Sequence, residues 1–164
     1  MNDIQHFAKL IKDIKFAMFT TYDPNTDEMH SRPMTLQEAE FDGDLWFFAD
    51  ESTEWVSQLE RQPRVNLSFA NVKDFSFLSA VGTAEIVEDR DKMEQLWRPT
   101  YKAWFPKGLE DPKVCLVKVH VESADYWESP NSKVVQLVGF VKAMATGKRA
   151  DNIGDQGHME FSRH

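Results

Sequence analysis

Two stretches decide how this chain reads: Ser31-Arg32-Pro33-Met34 and, beyond the acidic turn Glu40-Phe41-Asp42-Gly43-Asp44, the run Leu45-Trp46-Phe47-Phe48-Ala49-Asp50-Glu51-Ser52-Thr53-Glu54-Trp55. Both segments are extended, and the second runs directly into a polar helix start. The arrangement brings an arginine, an aromatic wall and hydroxyls beside a helix N-terminus, where free N–H groups and the helix dipole favour an anion. A flat aromatic phosphate has the matching shape and charge.

Around this centre the chain alternates short strands with a few separate helices. Ile4, Phe7, Ala8, Leu10, Ile11 and Ile14 recur at helical spacing and predict an amphipathic opening helix. Phe16 to Tyr22 reads as a buried strand, Asp23-Pro24-Asn25-Thr26-Asp27 as a turn, and Met29 to Leu36 as the return arm of a hairpin. Pro33 cannot donate a ladder hydrogen bond, so that arm is an edge or carries a bulge where a ligand can approach. Leu45 to Ala49 is a third strand, with Asp50 or Ser52 expected to cap a helix running to about Arg61 before Pro63.

Val65, Leu67 and Phe69 alternate with polar neighbours, and Phe75 to Val87 extends as a long strand whose apolar phase changes near Gly82, as a bulge would require. A short helix from Asp89-Arg90-Asp91 to Trp97 and the Pro106-Lys107-Gly108 turn follow. Val114 to Val121 and Val134 to Val141 are expected as the last strands. With strands dominant and no βαβ rhythm, the fold class is mainly β, a closed or partly closed antiparallel barrel with peripheral helices. One domain is expected over residues 1–145, followed by a loosely held tail over 146–164.

Bulk properties narrow the function. A chain of 164 residues suffices for one core, and its net charge of −8 with no basic run argues against nonspecific binding to nucleic acid or an anionic membrane. Any anion must be held by a few local cations. The single cysteine, Cys115, lies in an apolar run and reads as a buried thiol. No apolar run reaches the roughly 20 residues of a membrane span, and the first residues lack signal-peptide order, so the expected location is cytoplasmic. Five tryptophans exceed what a small core encloses easily, which points some of them at a ligand or a subunit interface.

Several chemistries leave no trace. There is no G-x-G-x-x-G, and Thr146-Gly147-Lys148-Arg149 lacks the remaining features of a P-loop. His6, His30, His120, His158 and His164 are scattered without metal-ligand spacing, and neither H-E-x-x-H nor G-x-S-x-G occurs.

The quoted segments, together with Val65-Asn66-Leu67-Ser68-Phe69 and Ala124-Asp125-Tyr126-Trp127-Glu128-Ser129-Pro130, resemble the general stress protein branch of the pyridoxamine 5′-phosphate oxidase-like flavoproteins. The likeness runs in order from about Asp3 to Lys148. It implies an FMN-binding split barrel, as a homodimer with flavin sites at the subunit interface, FAD being the alternative cofactor. By this resemblance Arg32, Pro33 and Met34 lie along the ring and ribityl chain. Phe48, Ala49, Asp50, Ser52 and Thr53 meet the ring edge and phosphate, Trp104 faces the ring, and Trp127 reaches the flavin from the other subunit. Lys133 falls where the family places a substrate-phosphate arginine.

The chain departs from the oxidase pattern at Glu54, which stands in place of a phosphate-binding lysine, and at Val134 to Leu137, which replace the substrate-binding histidine and arginine. A carboxylate at Glu54 repels phosphate. The reading is therefore a flavin-dependent oxidoreductase of unspecified substrate that does not oxidise vitamin B6, with a non-catalytic flavin-binding or sensing module as the alternative. A haem-binding barrel using His30 or His120 is a third reading. Read as isolated residues, Trp46, Phe47 and Phe48 suit barrel core, Arg32 suits an ion pair with Asp50 or Glu51, and Trp127 suits an interface anchor.

Overall fold

The structure is a computed structural model that describes residues 1–129, 133–148 and 154–161. Helix α1 (Asp3–Ile11) opens the chain, and its start is closed by a reciprocal cap in which Asn2 and Gln5 each accept the other's backbone N–H. Its buried side, Phe7 and Leu10, seals one end of the core, where Phe7 stacks on Phe41 at 4.2 Å.

The strands are β1 (Phe16–Asp23), β2 (Glu28–Thr35), β3 (Asp44–Asp50), β4 (Arg64–Asn71), β5 (Ser76–Val87), β6 (Val114–Glu128) and β7 (Asp155–Glu160). They form one antiparallel sheet in the order β2-β1-β4-β5-β6-β3, with β7 also paired to β6. One edge of β6 is thus divided, with β3 along Val114–His120 and β7 along Ser123–Glu128. Strands β2 and β3 stand at opposite ends of the hydrogen-bonded order, yet residues of both line one cavity. The sheet is therefore curled into a half-barrel that stops short of closing.

The curl has a local cause. The β5–β6 register slips between Val81 and Gly82, the bulge that the apolar phase change predicts. A Cβ on Gly82 would collide with the His120 carbonyl oxygen and lie 2.9 Å from Val119 Cγ1, so the close approach requires glycine.

Two apolar layers result. Inside the curl lie Phe7, Phe19, Phe47, Leu67 and Val119, each essentially solvent-free. On the other side of β3 and β6, Phe48 and Leu116 pack under Met93 and Leu96 of α3 (Arg90–Leu96) and under Tyr101 of the 3-10 turn Pro99–Ala103. The adjacent residues Phe47 and Phe48 serve different layers because strand side chains alternate in direction.

Three expectations are corrected. Val134 to Val141 lies within helix α4 (Lys133–Thr146), whose apolar positions Val134, Leu137, Val138, Val141 and Met144 also satisfy helical spacing. The segment after Thr146, expected as a loose tail, contains β7, with Met159 and Phe161 in the core. Finally, β6 extends to Glu128 rather than stopping at Val121.

Candidate functional site

The cavity between β2 and β3 has a volume of about 190 Å³. Pro33, Met34 and Thr35 form one wall, and Phe48, Ala49 and Asp50 the other. Thr53 and Trp55 bound it at the start of helix α2 (Glu54–Gln58), while Tyr101, Trp104 and Phe105 reach it from the turn after α3. That turn is anchored by aromatic edges, with Trp97 5.3 Å from Phe48 and 5.6 Å from Tyr101. Trp104 retains 60% of its surface exposed at the mouth.

Polar contacts fix the rim. The Asp50 carboxylate accepts from Ser52 N at 2.8 Å and Ser52 Oγ at 2.6 Å, which holds it below the ordinary carboxylate range and ionised. Thr53 is the N-cap residue of α2, but its hydroxyl donates back to the Asp50 carbonyl at 2.6 Å rather than capping the helix. The helix starts at Glu54 and is shorter than the Asp50- or Ser52-capped helix expected to reach Arg61.

Arg32 turns towards the curl. Its Nη1 donates to Phe19 O (3.3 Å) and Thr21 Oγ1 (3.1 Å), and its guanidinium lies over the Trp55 ring at 4.5 Å. Burial lowers its pKa, yet arginine keeps its charge. Among the described residues it pairs with neither Asp50 nor Glu51, which leaves a cation one indole away from the cavity.

Of the residues proposed from sequence, Pro33, Met34, Phe48, Ala49, Asp50, Thr53 and Trp104 come together in this cavity. Arg32 stands behind Trp55, and Ser52 holds Asp50 from the turn. Trp127 lies on the outer face of the sheet opposite Phe77, away from this cavity within one chain. Lys133 opens α4, and its side chain lies outside the described residues, as does Pro130 of the quoted pattern. Sequence reasoning missed Thr35, Gln37, Trp55, Tyr101 and Phe105 as lining residues. Tyr101, Trp104 and Phe105 belong to a five-residue 3-10 turn and the residues just after it, too short a run to carry a periodic signal of which side faces the cavity.

His30 lies 3.3 Å from Glu28 on the exposed edge strand, and His120 Nδ1 is 2.8 Å from Asp44 Oδ1. Neither histidine lines the β2–β3 cavity, and His120 borders a separate one with Asp42 and Glu160. No group of three or more His, Cys, Asp or Glu side chains among the described residues is arranged to hold a metal. No helix among them is long and apolar enough to cross a membrane.

A second cavity of about 820 Å³ adjoins the first and shares Thr35, Gln37, Tyr101 and Trp104 with it. Its cations Lys12, Lys15 and Arg98 are matched by Asp13, Glu38 and Glu40. Arg98 Nη1 donates to Gln95 O and Trp97 O, and with as many carboxylates as cations in its lining the cavity carries no net positive charge.

Comparison with known proteins places this geometry in a wider group. Residues 2–151 match a family model described as pyridoxamine 5′-phosphate oxidase like. The chain is 33% identical to protein bli-3 of Neurospora crassa over 159 residues, covering 92% of this chain and 75% of that protein. Among solved structures, one described as a general stress protein 26 from Jannaschia sp. CCS1 superposes with a TM-score of 0.78 at 24% identity, covering 98% of this chain and 100% of the other. The general stress FMN/FAD binding protein of Xanthomonas citri gives a TM-score of 0.67 at 26% identity, covering 78% and 89%. The half-barrel seen here is the split barrel of these general stress proteins.

Proposed function

The chain belongs to the pyridoxamine 5′-phosphate oxidase-like family, and on that footing we propose that the β2–β3 cavity holds the ring of a flavin, FMN or FAD, for redox chemistry. One observation carries the reading: strands from opposite ends of the sheet converge with an indole and a phenol on a single slot. The residues present fit the group. Indole and phenyl faces suit a flat conjugated ring, Ala49 leaves room beside it, and Arg32 keeps Nε and Nη2 outside its described hydrogen bonds for a phosphate. The Xanthomonas citri protein, described as binding FMN/FAD, supports the same ligand class.

The cavity alone is smaller than the roughly 300–1,000 Å³ typical of ligand pockets, so one chain supplies part of the enclosure. We take the remainder to come from a second copy, with Trp127 offered across a homodimer interface. Trp127, Phe77, Phe16 and Met18 lie exposed on the same outer face of the sheet, consistent with that role.

A bound flavin would supply two-electron or one-electron transfer; this chain's part is to bind it, orient it and exclude water. Asp50 and Tyr101 are the titratable residues lining the slot, and neither is poised to exchange a proton near neutrality. Asp50 is held ionised, and burial raises the Tyr101 phenol above its ordinary value. Proton delivery is thus left to the substrate or to solvent, and the oxidation of vitamin B6 is not expected. The same observation favours, as second reading, a module that binds or senses flavin without turnover. Anaerobic mixing of the flavin-loaded protein with a nicotinamide donor, followed by oxygen, separates the two. Bleaching and recovery of the visible band over repeated cycles supports the oxidoreductase, whereas a band that the donor leaves unchanged supports the binding module.

A further inference from the structure

We propose that α4 is a docking arm that packs its apolar surface on the outer sheet face of a second copy of this chain. The inference deepens the two-copy reading given above and rests on it. Its first support is topological. Strand β6 ends at Glu128, β7 starts at Asp155, and these two residues pair across the ladder, so the chain leaves the sheet and returns to it at one point. Between them stands a 14-residue helix, about 21 Å long at 1.5 Å per residue.

The second support is composition. Leu137, Val138, Phe140, Val141 and Met144 are each more than half exposed, a surface that water disfavours at roughly 25 cal/mol per Å² of apolar area. Gly139 and Ala143 are less exposed, so the large side chains are the ones presented outward. An apolar helix left in solvent is an interaction surface.

Charge complementarity then selects the occupant. From Lys133 to Lys148 the sequence holds Lys133, Lys142 and Lys148 and no acidic residue, although the chain as a whole is at −8. The outer face carrying Phe77 and Trp127 also carries the carboxylates Asp125 and Glu160, with His158 hydrogen-bonded between them. A basic apolar helix and an acid-rimmed apolar face on the same molecule satisfy each other across a two-fold axis, where each copy gives an arm and receives one. An anionic membrane would accept the helix but would repel the acidic body that carries it.

Sedimentation velocity of the full chain tests this, comparing the wild type with Leu137→Asp/Val141→Asp on the arm and with Phe77→Ser on the receiving face. The expected result is a wild-type dimer and at least a tenfold rise in the dimer dissociation constant for each variant, with circular dichroism unchanged. Should the arm variant lose its fold, the milder Leu137→Ser/Val141→Ser on the same helix decides the matter by the same criterion. A wild-type dimer that the arm variant retains overturns the arm and leaves the two-copy reading standing, whether or not Phe77→Ser weakens it. A monomeric wild type overturns both. Co-sedimentation of that monomer with phosphatidylserine vesicles, lost in the arm variant, would assign α4 to a membrane surface instead.

Discussion

At Gly82 the backbone of β5 passes so close to His120 that a methyl group has nowhere to go, and the bulge that curls the sheet depends on that contact. Gly82→Ala should therefore lower stability by about 1–3 kcal/mol, measured as a shift in the urea midpoint at unchanged slope. Cys115 is buried on β6 beside Ala49 of β3, and burial pushes its thiol up to about 12. It should stay unreactive to a thiol reagent at pH 8 in the native state and react completely once the protein is denatured; reaction in the folded state would contradict the packing. Arg32→Ala should weaken FMN binding by about 1.5–3 kcal/mol if the guanidinium meets the phosphate, and Arg32→Lys should recover only part of that, since lysine loses the flat contact with Trp55. An unchanged dissociation constant would remove Arg32 from the site. At this scale the residues of the strands were legible, because alternation and the Pro33 edge place Met34, Phe48 and Ala49 together. Tyr101 and Phe105 were not, because a 3-10 turn has no long periodic pattern to announce which side it presents.

Among the elements, β7 is tied to β6 by polar contacts at the surface as well as by Met159 beneath. His158 Nδ1 lies 2.7 Å from Asp125 and its Nε2 3.1 Å from Glu160, and hydrogen bonds to these carboxylates raise its pKa above the ordinary value. A raised histidine favours the protonated folded form. Its contribution is fully present below the unfolded value of about 6.5 and is lost as pH rises through the folded one. Amide exchange in β7 should accordingly quicken as pH climbs through that window, beyond the intrinsic pH effect, and His158→Gln should flatten the trend. Equal pH dependence in both proteins would place the hold on β7 in its apolar contacts alone. The elements read correctly from sequence were those whose own pattern matched their burial, such as α1 and β4. The run Val134 to Val141 is rich in β-branched residues and reads as a strand. The β6 edge that such a strand would need is occupied by β3 and β7, and the run forms α4 instead. Strand β7 was invisible because Asp155-Gln156-Gly157-His158 is polar, and only Met159 and Phe161 point to the core.

For the molecule as a whole, the curl of one sheet explains both its stability and its candidate site. The inner layer around Phe7, Phe19 and Phe47 fills the half-barrel, and the outer layer around Phe48, Leu116 and Tyr101 carries the aromatic turn over the gap between β2 and β3. The fold class was legible because strand spacing and the Gly82 phase change are sequence-local signals. How much of the site one chain supplies was not, since enclosure depends on surfaces that meet only in three dimensions. The most direct measurement is an equilibrium titration of the purified chain with FMN, following tryptophan fluorescence and the visible flavin band together. Saturable quenching at one FMN per chain, with a shifted band, is the predicted result, because Trp55 and Trp104 border the slot. Absence of saturable quenching, with a flavin spectrum identical to that in buffer, would contradict it.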